Sequence, residues 1–245
     1  MTTRPDRTPR AVLFDLDDTL YDHLHSARSG LAKMQSRHAE MSSAPIRELE
    51  DRYSEALESV HVRLMRGEVS QREARTIRMR QFFGSFGIEV TDDQAMEAYT
   101  QFRSDYDSVC QVVAGTHKLL RRLQAMGIRL GVITNNLVAE QIPKLRQLEL
   151  TDYFEVVTIS EEVGVPKPDP QIFHVALERF DLPKEDLVVV GDSLSSDIAG
   201  AVGIGMRCVW LKRRPELPNT APAGVSTIEG DFADVENSLE IILGA

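Results

Sequence analysis

Short apolar runs rich in branched residues recur along the chain, at AVLF (11–14), RLGVIT (129–134), FEVVTI (154–159), LVVVG (187–191) and RCVWL (207–211). Each is of strand length rather than helix length. Separating the runs are segments with apolar residues at helical spacing, such as HKLLRRLQAM, AEQIPKLRQL and PQIFHVALERF. Apolar strands alternating with helices predict a parallel sheet covered on both faces. The expected fold class is therefore α/β, a Rossmann-like parallel sheet core with helices on both faces.

The stretch 22–110 breaks the alternation. It is highly charged, carries no convincing strand and is interrupted at MSSAP, RGEVS and FGIEVTDD. That punctuation predicts about four helices, with Ser70 and Thr91 as N-caps. A segment of nearly 90 residues between the first and second strands is too long for a loop. It predicts an inserted all-helical cap domain at 22–110, on a core domain built from 1–21 and 111–245. The opening MTTRPDRTPR lacks the apolar stretch of a secretory signal and reads as a disordered leader. Near the end, RRPELPNTAPAG (213–224) reads as a surface connection.

Composition excludes some functions. A formal net charge of −10 over 245 residues argues against general affinity for nucleic acid or anionic lipid, which rests on clustered Lys and Arg. No apolar run approaches the roughly 18 residues of a membrane span, and a cytoplasmic protein is expected. Cys110 and Cys208 have neither disulfide-framework nor zinc spacing, so both are expected to be small buried hydrophobes. Trp210, inside an apolar run, is expected in the core. Oligomeric state has no readable signal.

In open parallel sheets, ligands bind beyond the carboxyl ends of the strands. The first run is followed by Asp15, Asp17, Asp18 and Thr19, the second ends on Thr134 and runs into Asn135 and Asn136, and the fourth leads to Asp192, Ser193 and Asp197. GVPKPDP, ahead of a helix, supplies Lys167. Singly, each has an ordinary reading: aspartates as turn formers or N-caps, Thr134 as a polar strand end, Lys167 as a solvated loop lysine. Together they predict one small volume holding several carboxylates and one ammonium. Crowded carboxylates raise one another's pKa unless a cation offsets them. A hard divalent ion such as Mg2+ takes oxygen ligands of this kind, which suits Asp15 and Asp192.

The four segments FDLDDTL, VITNN, VPKPDP and GDSLSSD, in that order within residues 11–200, resemble the motifs of the haloacid dehalogenase (HAD) superfamily. The helical insert after the first motif resembles its C1-type cap. The resemblance implies Asp15 as nucleophile and Asp17 as general acid/base. It implies Thr134, Asn135 and Lys167 as phosphate-binding residues. Asp15, Asp192 and the backbone carbonyl of Asp17 are the implied Mg2+ ligands, with Thr19, Ser193 and Asp197 in support. Because dehalogenases of the superfamily lack the second acid, Asp17 points to the phosphatase branch.

The chemistry asks for the same residue types. A carboxylate attacking phosphorus divides a hard hydrolysis into two easier displacements, and one nearby acid/base serves both. The expected function is a Mg2+-dependent phosphomonoesterase. It would act on a small phosphorylated metabolite, a nucleoside monophosphate or sugar phosphate, through an aspartyl-phosphate. A phosphomutase, a 2-haloacid dehalogenase or a non-catalytic regulatory binding module are the alternatives. His23, His25 and Tyr21, just after the first motif, are candidates either for substrate contact or for solvated and packed hinge positions.

Overall fold

The computed structural model describes residues 8–214 and 220–244. Most of the leader, 1–7, and residues 215–219 of the Pro-containing connection lie outside the described residues. Six strands form one sheet: β1 (Ala11–Phe14), β2 (Arg129–Thr134), β3 (Val156–Ile159), β4 (Leu187–Gly191), β5 (Arg207–Lys212) and β6 (Ser226–Glu229). Their order is β3-β2-β1-β4-β5-β6. Every pairing is parallel. Phe14 at the end of β1 is in register with Val132 of β2 and Val190 of β4, so the carboxyl ends of the three central strands lie close to one level.

Two strand expectations shift and one strand is new. The FEVVTI run enters the sheet only at Val156, because Thr151–Tyr153 forms a short 3-10 turn that runs into Phe154. β5 continues to Lys212, and β6 had no signal: only Ile228 of its four residues is buried, and an edge strand needs a single partner.

The helices are α1 (His23–Arg37), α2 (Ile46–Met65), α3 (Gln71–Gly84), α4 (Asp92–Asp107), α5 (Thr116–Ala125), α6 (Val138–Gln147), α7 (Ser160–Val163), α8 (Pro170–Phe180), α9 (Ala199–Gly203) and α10 (Val235–Leu243). Alternation along β1 sends Ala11 and Leu13 to the sheet face where they join Phe173 and Phe180 of α8 and Ala201 of α9. Phe14 meets the edge of Phe232, ring centroids 6.4 Å apart. Trp210 is fully buried in the core. Cys208 is buried, whereas Cys110, in the irregular chain beyond α4, is only half-buried.

The chain divides into two compact units, with the breaks after Asp22 and after Cys110. The smaller unit holds α1 to α4. Ser70 accepts from the Glu73 backbone N–H while the Glu73 carboxylate accepts from Ser70, and Thr91 and Gln94 repeat the arrangement. These reciprocal caps satisfy donors that a helix start leaves orphaned. An aromatic cluster of Tyr53, Phe82, Phe83 and Phe102 fills the unit's centre. Among the described residues, no helix is long and apolar enough to cross a membrane.

Candidate active site

The strand order reverses between β1 and β4, and an open parallel sheet leaves a crevice at such a point, outside the carboxyl ends. Asp15 follows β1 and Asp192 follows β4. Asp15, Asp192 and Asp197 each place a carboxylate oxygen within 4.8 Å of the others. At that separation two unit charges repel by roughly 3 kcal/mol in an effective dielectric near 20.

One cation is built into the cluster. Lys167 Nζ lies 2.6 Å from Asp15 Oδ1, 2.6 Å from Asp197 Oδ1 and 2.9 Å from the Ile133 carbonyl oxygen. The side chain is 2% exposed, so the solvated-loop reading of this lysine is wrong. Asn135 fixes the loop that delivers it: its Oδ1 accepts the Lys167 backbone N–H at 2.7 Å and its Nδ2 donates to the Lys167 carbonyl at 3.0 Å. Beyond Lys167, the Asp169 side chain caps α8 by accepting from Gln171 N–H.

Asp197 is delivered by the turn after β4. Ser193 caps the π-helical turn Leu194–Ile198 through Ser196 N–H, and its own N–H donates to Asp197 Oδ2 at 3.0 Å. The Trp210 indole N–H donates to the Asp192 carbonyl at 2.9 Å. A Cβ on Gly191 would sit 2.4 Å from the Asp197 carboxylate carbon. Only glycine lets the carboxylate come that close to the strand end.

The electrostatics record the imbalance of three carboxylates against one ammonium. The Asp15 carboxyl is raised to about 7, by burial above all and by the charges of Asp197 and Asp17, against the opposing pull of Lys167. Burial, then Asp15 and Asp197, raise Asp192 well above the usual carboxylate range. Burial works against the Lys167 charge, but Asp15 and Asp197 outweigh it and hold the ammonium above its ordinary range. An oxygen-rich cluster two charges short of neutrality fits a hard divalent cation.

The clustered aspartates of the first motif separate into different environments. Asp15 enters the carboxylate cluster. Asp17 makes an ion pair with Lys144 through Oδ1 and accepts from Gln141 Nε2 at 2.9 Å through Oδ2. Asp18 adopts a left-handed backbone, φ 61°, and its N–H donates to the Tyr21 carbonyl at 2.8 Å. Thr134 Oγ1 accepts from Gln141 Nε2 at 2.7 Å. The Thr19 hydroxyl is buried without a hydrogen-bond partner among the described residues. Tyr21 is fully buried, with its ring centroid 4.8 Å from Lys144 Nζ. His23 Nδ1 lies 2.5 Å from Tyr106 Oη, and His25 is exposed.

Asp15, Asp192, Asp197 and Lys167 are thus in one cluster, while Asp17 and Thr134 belong to a second network joined through Gln141. Asn135 and Ser193 act on backbone that shapes the first cluster. The three converging carboxylates include Asp197 rather than that of Asp17. Gln141 and Lys144 escaped the sequence reading, though a signal was there. They sit at i and i+3 on α6 in phase with Leu145, so two polar residues occupy the stripe an amphipathic helix buries.

A family model for haloacid dehalogenase-like hydrolases matches residues 9–205, most of the chain. The chain belongs to this family. Among its relatives, the glyceraldehyde 3-phosphate phosphatase of Pyrococcus furiosus is 31% identical over 84% of this chain and 82% of that protein. The ribulose-1,5-bisphosphate 5-phosphatase of Halopiger xanaduensis is 31% identical over 89% of this chain and 91% of that protein. A match at 46% identity to the Pyrococcus abyssi glyceraldehyde 3-phosphate phosphatase is confined to 100 residues, 41% of this chain and 42% of that protein. A crystal structure of Bacillus subtilis YfnB superposes with a TM-score of 0.73 at 22% identity, covering 96% of this chain and all of that one, and supports the fold alone. Family membership makes the chain a hydrolase with the HAD core.

Proposed function

We propose that this HAD hydrolase is a Mg2+-dependent phosphomonoesterase that acts on a small phosphorylated metabolite through an aspartyl-phosphate at Asp15. The observation that carries the reading is the division of the first-motif carboxylates between two environments. Asp15 lies in the charge cluster with one oxygen on Lys167, whereas Asp17 lies in a separate network with Lys144 and Gln141. Two carboxylates in unlike surroundings are what nucleophile and acid/base roles require.

In the first step, Asp15 Oδ2 attacks phosphorus as the bond from phosphorus to the ester oxygen breaks, and Asp17 gives that oxygen a proton. In the second, Asp17 removes a proton from water as the water attacks phosphorus, and the Asp15 carboxylate leaves. Thr134 accepts from Gln141, which leaves its own hydroxyl hydrogen for a phosphoryl oxygen. The three Lys167 donors have partners in Asp15, Asp197 and Ile133, so its contribution to a bound phosphoryl group is its charge. Mg2+, held by Asp15, Asp192 and the Asp17 carbonyl, would supply the remaining positive charge facing the transferring oxygens. Asp197 supports that site by holding Lys167 and Ser193 in place.

The named activities of the Pyrococcus and Halopiger relatives favour small phosphorylated sugars and related metabolites as the substrate class. Asp17 favours phosphoryl transfer over dehalogenation, since a departing halide needs no proton. Phosphate release from a panel of glyceraldehyde 3-phosphate, sugar phosphates and nucleoside monophosphates, titrated with Mg2+, tests the reading. Mg2+-dependent turnover is expected, and undiminished release after complete chelation would refute it. Substrate choice is assigned to the helical unit, 23–110. Exchange of residues 25–105 for a different helical insert should reorder the preferred esters while p-nitrophenyl phosphate is still hydrolysed, and an unchanged order would count against the assignment.

A further inference from the structure

Two α6 side chains outside the four motifs are buried against the one proposed to move protons. Gln141 is fully buried and Lys144 is 8% exposed. Lys144 pairs with Asp17 Oδ1, donates to Gln141 Oε1 at 2.8 Å, and stands 4.8 Å from the centroid of the Tyr21 ring. Gln141 spends both amide hydrogens, one on Asp17 Oδ2 at 2.9 Å and one on Thr134 Oγ1 at 2.7 Å. The Lys144 bond also fixes which end of the amide is oxygen, because an ammonium can only donate.

This is an expensive arrangement for a surface helix. A buried ammonium and a buried amide are tolerated only when paired, and an apolar pair at these positions would pack α6 without that demand. What the polar pair adds is orientation. Both oxygens of Asp17 are engaged, so rotation of its carboxylate is restrained, and the same amide sets the Thr134 hydroxyl. One helix turn therefore ties the proposed acid/base to the hydroxyl proposed to hydrogen-bond the phosphoryl group.

We propose that Lys144 and Gln141 are positioning residues for the chemical step: they fix the Asp17 carboxylate relative to the leaving-group oxygen, and Gln141 couples that setting to Thr134. The proposal rests on the acid/base role of Asp17. If the pair acts through Asp17, its loss weakens protonation of the leaving group, so it harms esters with poor leaving groups most and binding least.

The test compares glycerol 2-phosphate, a poor leaving group, with p-nitrophenyl phosphate at saturating Mg2+. The variants are Lys144→Met, Lys144→Arg, Gln141→Leu, Asp17→Asn and the double variant Lys144→Met/Asp17→Asn, each checked for folding by circular dichroism. For Lys144→Met, kcat/KM on glycerol 2-phosphate should fall about tenfold further than on p-nitrophenyl phosphate, because that ratio reports the step in which the leaving group departs, while inhibition by inorganic phosphate should change less than about threefold. Lys144→Arg should lie between this variant and the unaltered enzyme. In the Asp17→Asn background, Lys144→Met should have no further effect on the ratio between the two esters, since the losses pass through one group.

Equal losses on both esters, or losses that add in the double variant, would overturn the proposal while leaving Asp17's role intact. If Asp17→Asn itself shows no difference between the esters, the acid/base reading fails and the positioning role fails with it. Should Lys144→Met not fold, Gln141→Leu decides: a differential loss supports the role, and an unaltered ester ratio refutes it.

Discussion

Gly191→Ala puts the geometry of the carboxylate cluster under direct load. The added Cβ would lie 2.4 Å from both Cγ and Oδ2 of Asp197, about 1 Å inside ordinary van der Waals contact. Asp197 has little room to yield, because Lys167 Nζ holds Oδ1 at 2.6 Å and Ser193 N–H holds Oδ2 at 3.0 Å. Relieving the clash costs about 1–3 kcal/mol as overpacking. Giving up a charge-assisted hydrogen bond costs about 1.5–3 kcal/mol more. A total of about 2.5–6 kcal/mol corresponds to a fall in melting temperature of roughly 5–24 °C for a chain of this size. Turnover should fall about a hundredfold, as misplacement of active-site groups by about 1 Å commonly costs. Gly203→Ala is the control, since its Cβ would meet nothing within 4 Å. It should change stability by less than about 1 kcal/mol and leave activity intact. Melts followed by circular dichroism and phosphate release from p-nitrophenyl phosphate give both readouts. Equal melting temperatures and equal turnover for the two variants would refute the account of Asp197.

Lys167→Met strands Asp15 and Asp197 as buried carboxylates and should cost about 3–5 kcal/mol near neutral pH, measured by urea unfolding without metal. The cost should be smaller at pH 5 than at pH 8. A carboxyl whose folded-state pKa is raised, to about 7 for Asp15 even beside Lys167, gives stability that is present at low pH and lost as pH rises through that value. A loss that does not vary with pH would show that the carboxylates are not the cause. Asn135→Ala frees the Lys167 backbone at both ends of its reciprocal bonds and should lower kcat/KM by about 10- to 100-fold. Unchanged kinetics would mean that the loop holds its shape without Asn135.

The sheet was legible because its strands are apolar on both faces and its helices are not, a contrast local composition carries. β6 was not legible, since STIE buries one residue and takes its place from a neighbouring strand. Asp15, Lys167, Asp192 and Asp197 could be named from their order along the chain because each follows a strand or precedes a helix. What the chain could not display was their allocation: Asp197 converging with Asp15 and Asp192, and the Asp17 carboxylate drawn to α6. That depends on Gly191, whose missing Cβ admits Asp197, and on Gln141 and Lys144, which read as ordinary helix residues unless phased against Leu145. Asn135 stands beside Thr134 in sequence, yet its amide serves the Lys167 backbone, a partnership across 32 positions that local reading does not reach.

The central claim is that Asp15 carries the phosphoryl group during turnover. Rapid acid quench during turnover of p-nitrophenyl phosphate with Mg2+, borohydride reduction and peptide mass spectrometry test it directly, since reduction converts an aspartyl-phosphate to homoserine at the phosphorylated position. The account predicts homoserine at position 15, absent without substrate and absent in Asp15→Asn, which should retain less than about a hundredth of the turnover. Conversion at another aspartate instead, or an Asp15→Asn variant that still turns over at more than a tenth of the original rate after deamidation is excluded, would contradict it.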